Sequence, residues 1–141
     1  MKKQWQFSHT ETTKAKPSNI WRRWTDVEHW PQEDTNLKSA RLEGEFAVGS
    51  KIVMVPTVGP KSTVTITEVT NNKSFSTEGN IPFGKLIITH SIKQVSGKTR
   101  FKHTIKVTGP FRKLFVRMVV QRLADNLPQK MRNIAKLAEK A

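Results

Sequence analysis

A short helical segment, a long run of strand-like stretches and one long terminal helix follow one another along this chain. That order restricts its possible folds more than any single motif does. The short segment runs from Pro17 to Trp30, and the terminal helix begins after Gly109-Pro110 and runs nearly to Ala141. One small sheet and one long helix must bury their apolar faces against each other. A curved sheet wrapped round a helix can also leave a space between them, so the interior is the first place to look for function. With 141 residues, the expected organisation is one domain spanning 1–141, which buries roughly two-thirds of the surface its unfolded chain exposes.

Local patterns divide the chain further. Residues Gln4 to Thr13 can form a first strand. Pro17 suits the first turn of a helix, with Lys16 or Ser18 near its cap. Ile20, Trp21 and Trp24 can share one buried face, and Asp26 can cap a second short turn leading to Trp30-Pro31. Strands are predicted near 37–43, 50–57, 61–70 and 73–79, separated by Gly44/Gly49, Gly59-Pro60 and Asn71-Asn72.

The pair 84–95 and 98–108 carries the clearest alternation. Ser96-Gly97 is a plausible two-residue turn between them, and pairing Val95 with Lys98 sets the register. In that register Ile92 faces Phe101 and His90 faces His103, both histidines on the apolar inward face. Arg100, Lys102 and Lys106 then share the outward face. The terminal helix carries two offset apolar stripes: Phe111, Leu114, Phe115 and Met118, then Leu123, Leu127, Met131, Ile134 and Ala138. Pro128 is expected to kink or restart the helix between such stripes. Arg122 follows Met118 by four residues and so continues the first stripe.

Composition excludes several classes. The chain has no cysteine, hence no disulfide framework, thiol nucleophile or thiolate metal site. It has no tyrosine to act as a phenolic acid. No apolar stretch follows Lys2-Lys3, and none approaches the ~20 apolar residues of a spanning helix, so a cytoplasmic protein is expected. Charge is uneven: residues 1–80 hold 11 Lys/Arg against 9 Asp/Glu, whereas 81–141 hold 14 against only Asp125 and Glu139. Such a field can draw a protein to phosphates or anionic membranes, or simply solvate one face.

The arrangement of Pro17, Ile20, Trp21, Trp24, Asp26, Val27 and Trp30-Pro31 has a familiar spacing. Leu42 to Phe46 with Val48-Gly49, Gly59-Pro60-Lys61, Thr67-Glu68-Val69, Phe75, His90 and the stretch from Thr104 to Gly109-Pro110 follow it in order. Together these resemble the polyketide cyclase/dehydrase branch of the START-like (SRPBCC) superfamily, over nearly the whole chain from about Glu11 to Glu139. The resemblance implies an α+β helix-grip fold: two short helices near the N-terminus and a curved antiparallel sheet of six to seven strands wrapped round a long C-terminal helix. It also implies a hydrophobic cavity that takes lipids, sterols, polyketides or other apolar molecules, with cyclisation or dehydration catalysed in a minority of members. One departure is visible. Where many relatives carry a second tryptophan after the equivalent of Trp30-Pro31, this chain reads Gln32-Glu33-Asp34.

The expected ligand-contacting set is Trp30, Met54, Phe75, Phe83, Leu86, Ile88, Phe101, Phe115 and Met118, with His90, His103 and Arg122 as its polar members and catalytic candidates. Opposed neutral imidazoles can serve as acid and base near neutral pH, or stand as hydrogen-bonded interior residues. With His9 or Glu11 as a third ligand they could hold a metal, although no metal and no cofactor is expected. Arg122 can neutralise a carboxylate or enolate, or reach the surface. Three classes follow. The first is a binding module for a hydrophobic small molecule or lipid, and the second a cyclase/dehydratase-like enzyme using the histidines. The third is an anionic-surface binder using the basic half, with no specific nucleic-acid partner expected because no recognised motif supports one.

Overall fold

The computed structural model describes residues 4–141. Strand β1 (Gln4–Thr13) leads into helix α1 (Pro17–Thr25) and a 3₁₀ turn (Val27–Gln32). Six strands follow: β2 (Leu37–Glu43), β3 (Lys51–Pro56), β4 (Ser62–Thr70), β5 (Ser74–Ile81), β6 (Gly84–Val95) and β7 (Lys98–Thr108). The terminal helix comprises α2 (Arg112–Phe115), a π-helical turn (Val116–Val120) and α3 (Gln121–Glu139). The seven strands form one curved antiparallel sheet in the order β1-β7-β6-β5-β4-β3-β2. Consecutive hairpins build β2 to β7, and α1 with the 3₁₀ turn carries the chain from one sheet edge to the other. This is the helix-grip arrangement expected from the order of patterns.

Turn chemistry fixes the central register. Ser96 and Gly97 have φ of 53° and 78°, as a two-residue hairpin turn with right-handed strand twist requires. Val95 pairs with Lys98, Ile92 with Phe101 and His90 with His103, as expected. On its other side β7 pairs with β1, which sets His9 opposite His103. Bulges at Lys38 and Thr67 interrupt the ladders of β2 and β4.

Pro17 occupies the first turn of α1, where its missing N–H costs nothing. Ile20 and Trp24 from α1, with Val27, pack onto the concave face of the sheet, which contributes Phe75, Phe101, Ile105 and Val107. Each such large side chain contributes about 1.5–3 kcal/mol by leaving water. Thr13 donates a hydrogen bond to Glu139 (2.5 Å), and Thr99 donates one to the Ala15 carbonyl (2.6 Å). The first bond pins the end of the terminal helix to the sheet, and the second ties the β1–α1 loop to β7.

The terminal helix presents a different face from the one its bulkiest residues suggested. Its inward stripe is Val116, Val120, Ala124, Leu127, Met131, Ile134 and Ala138, and it is continuous along the helix. Phe111, Leu114 and Met118 point outward, Phe115 is half-buried, and Arg122 is exposed rather than beside an inward face. Steps of three and four keep the smaller valines and alanines in phase with Leu127 and Met131. Helix α3 runs unbroken through Pro128 instead of restarting there.

Phe83 also departs from expectation. Ile81 pairs with Gly84, so Pro82 and Phe83 form the tip of a two-residue hairpin turn. Phe83 sits there at φ 59° and is 81% exposed, outside the sheet–helix interior.

Candidate functional site

The β6–β7 register brings two imidazoles together under α1. His90 and His103 lie with ring centroids 4.4 Å apart, tilted by 68°. His90 stacks on Phe75 at 3.8 Å with rings nearly parallel, and its Nδ1 donates to the Phe75 carbonyl at 3.2 Å. A carbonyl only accepts, so this bond fixes the neutral tautomer with an unprotonated Nε2. Burial pushes the His90 pKa down to about 3, helped by the positive charge of Lys130. His103 is held well below the ordinary histidine value by burial first, then by His90, Lys130 and His9. Both rings are therefore neutral at physiological pH. His9 continues the row onto β1, where its Nε2 bonds Glu11 at 2.5 Å. Among the described residues no three His, Asp or Glu side chains converge as a metal site.

Helix α1 and the 3₁₀ turn supply the opposite wall. The Trp24 ring meets His90 and His103 edge-on, at 5.4 and 5.5 Å. Trp30 donates its indole N–H to the Trp24 carbonyl at 3.1 Å. The 3₁₀ turn then directs two carboxylates inward. Glu33, only 2% exposed, accepts from Arg23 Nε at 2.7 Å. Its carboxyl is pushed up to about 7, chiefly by burial and against the opposing pull of Arg23. Asp34 accepts from Asn126 at 2.9 Å and lies 3.7 Å from Lys130 Nζ, which also sits 5.9 Å from the centre of the Trp30 ring.

These groups surround a pocket of about 80 Å³ between the sheet and α3. Its apolar wall includes Met54, Val64, Phe75, Ile88, Ile105 and Leu127, and its polar side Glu33, Asp34, Asn126 and Lys130. Trp24 and His103 also line it. Their Nε1 and Nε2 atoms are buried without a partner among the described residues. Buried polar groups are nearly always paired, so an orphan on each of two facing walls marks a place where a polar atom from outside could be received.

The sequence matches the family described as "Polyketide cyclase / dehydrase and lipid transport" over residues 4–139. The chain belongs to that family. Solved structures place this member of the polyketide cyclase/dehydrase and lipid transport family within the START-like architecture. Ara h 8.0201 is 13% identical with a TM-score of 0.76, the alignment covering 99% of this chain and 100% of that one. Norcoclaurine synthase from Thalictrum flavum is 15% identical with a TM-score of 0.75, covering 99% and 89%. A protein from Nitrosomonas europaea is 16% identical with a TM-score of 0.74, covering 96% and 94%. At these identities the likeness is one of fold. No curated protein sequence matches the chain.

Within this family member, Trp30, Met54, Phe75, Ile88, His90 and His103 come together at the pocket. Phe101 is buried in the core next to His103 but does not line the pocket, and Leu86 and Phe115 pack partly buried against the core elsewhere. Phe83, Met118 and Arg122 lie outside. The cation at the pocket is Lys130 rather than Arg122. Sequence spacing gives Trp24 only as part of a buried face, and Glu33-Asp34 only as a departure from relatives. Asn126 and Lys130 were not singled out at all. Their signal was present: they are four apart, on the flank of the Leu123, Leu127 and Met131 stripe, where polar side chains can reach the edge of a buried space.

Proposed function

We propose that the protein binds a small, mostly apolar molecule carrying an acceptor oxygen, held between the sheet and the terminal helix. The observation that carries this reading is the pair of unpartnered ring nitrogens, Trp24 Nε1 and His103 Nε2, on facing walls of the pocket. Leaving such a group unpaired costs about 1–3 kcal/mol, which an entering oxygen would remove. Indole N–H only donates, so Trp24 selects an acceptor. Lys130 adds a positive potential that favours a carbonyl, phenolate or carboxylate end. The remainder of the molecule would lie against Met54, Val64, Ile88 and Leu127. A neighbour of the same fold, norcoclaurine synthase, has been crystallised in complex with dopamine and hydroxybenzaldehyde.

At about 80 Å³ the pocket is well below the roughly 300–1,000 Å³ of ordinary ligand sites. A ligand or lipid therefore enters by displacing the α3 wall at Leu123 and Leu127. The π-helical turn just before α3 is where the helix can change pitch to permit this. Burial holds both imidazoles below the ordinary histidine value, His90 at about 3, so they accept protons poorly at neutral pH. The histidines are thus assigned to orientation rather than to the proton transfers of a cyclase or dehydratase, in a protein we take to be cytoplasmic.

Native mass spectrometry of the purified protein, followed by organic extraction, identifies what is bound. Trp24→Phe keeps an aromatic ring but loses the pyrrole half of the indole with its N–H, and should weaken that ligand about tenfold, the worth of one hydrogen bond, provided folding is intact. His103→Phe should weaken it similarly. A ligand held equally well by both variants would remove the pocket from the reading.

A further inference from the structure

We propose that the end of the molecule formed by the β5–β6 turn and the first turns of the terminal helix docks on an anionic lipid bilayer. Its apolar side chains face solvent together. Phe83 at the turn tip lies 5.7 Å from Phe111, and Leu114 and the 72%-exposed Met118 continue from Phe111 along the helix. These are the residues that the continuous inward stripe of the helix excludes, so folding does not account for their apolar character.

Phe83 carries a second mark. Third in a Pro-led turn, it has a positive φ of 59°, which glycine or asparagine adopts at little cost and a bulky residue adopts under strain. An aromatic ring held in that conformation and turned to solvent contributes little to the stability of the hairpin. Gly109 allows the neighbouring strand end to close in: a Cβ there would lie 2.6 Å from the Phe83 carbonyl oxygen. The turn and the start of the helix therefore form one continuous surface.

Charge selects the occupant. Lys113, Arg117 and Arg122 are exposed between and beside the apolar residues, and none of them enters an ion pair among the described residues. No acidic residue occurs between Glu78 and Asp125, and Glu78 is paired with Lys85 at 3.1 Å. A second copy of the chain would bring like charges together, which disfavours self-association through this face. Cations interleaved with exposed apolar side chains match an interface of anionic headgroups over acyl chains. Among the described residues no helix is long and apolar enough to cross a membrane, so the association is peripheral. The inference stands on these surface residues and does not depend on the interior holding a ligand.

Flotation of the full chain with vesicles tests it. Phosphatidylcholine vesicles doped with phosphatidylglycerol should recruit the protein, with recruitment falling steeply as salt is added, and phosphatidylcholine alone should not. Phe83→Gly should raise the melting temperature by relieving the strained φ, yet weaken vesicle binding about tenfold. Lys113→Gln with Arg117→Gln should have a similar effect on binding. Lys102→Gln with Lys106→Gln, on the outward sheet face, should change it little. The proposal is overturned if the protein ignores anionic vesicles or binds neutral ones equally. It also fails if the sheet-face variant, and not the helix variant, abolishes binding, or if only oligonucleotides are retained.

Discussion

His90 and His103 are polar groups placed where charge is not tolerated, and this gives the fold a pH dependence. Each has a pKa below its ordinary value of 6.5, so the unfolded chain binds more protons than the folded one as pH falls below that value. The stability tied to their neutral state is complete above 6.5 and is lost as pH falls below it, for His90 down to about 3. Glu33 acts in the opposite direction: raised from 4.5 to about 7, it lowers stability as pH rises through that interval. Two histidines outweigh one carboxyl, so thermal stability should fall on acidification from 6.5 to 4.5. In Glu33→Gln that fall should be steeper, because the opposing contribution is gone. Replacing both histidines with glutamine should flatten it, and melting curves across the range check both. Facing the His90–His103 pair are Lys130 from α3 and His9 from β1, whose positive charges oppose protonation of the pair. The inward pairing of these histidines was legible in the sequence because alternation and one turn determine it. The burial of Glu33 was not, because nothing local says which side of a 3₁₀ turn faces a sheet that forms later in the chain.

At the scale of elements, the hairpin and the terminal helix contrast. The β6–β7 register followed from Ser96-Gly97, a turn whose positive φ values leave little choice of pairing. The helix offered two competing apolar stripes, and residue size pointed to the wrong one at its start. Val116, Val120 and Ala124 are smaller than Phe111, Leu114 and Met118, but only they align with Leu127 and Met131. Read at the ordinary helical pitch, Val116 and Val120 already fall on the Leu127 face, so periodicity rather than bulk identifies the buried stripe. Truncation separates the two faces. Met131→Ala, at a fully buried site, should cost about 2–5 kcal/mol, whereas Met118→Ala should stay within about 0.5 kcal/mol. Chemical denaturation measures both.

For the molecule as a whole, the class of fold was readable because a helix and a sheet of these lengths have few ways to cover each other. The size of the space between them was not, since it depends on how far Trp24, Phe75 and the α3 stripe fill it. A net charge of +14 also acts on the whole molecule. Folding concentrates those charges, so moderate salt should raise the melting temperature by screening their repulsion, until the screening saturates.

Strand β1 closes the sheet against β7, with Ser8 and Thr104 bonded across a separation of 96 residues. During synthesis the first strand therefore waits for almost the entire chain. The hairpins from β2 to β7 are local and can assemble as they emerge, while β1 has no neighbour until Thr108 has left the ribosome. Strand β1 thus gains its sheet partner only after the six other strands, and the terminal helix packs after that. Newly made chains lacking the final strand would leave both β1 and the free edge of β6 open to chaperones or to one another.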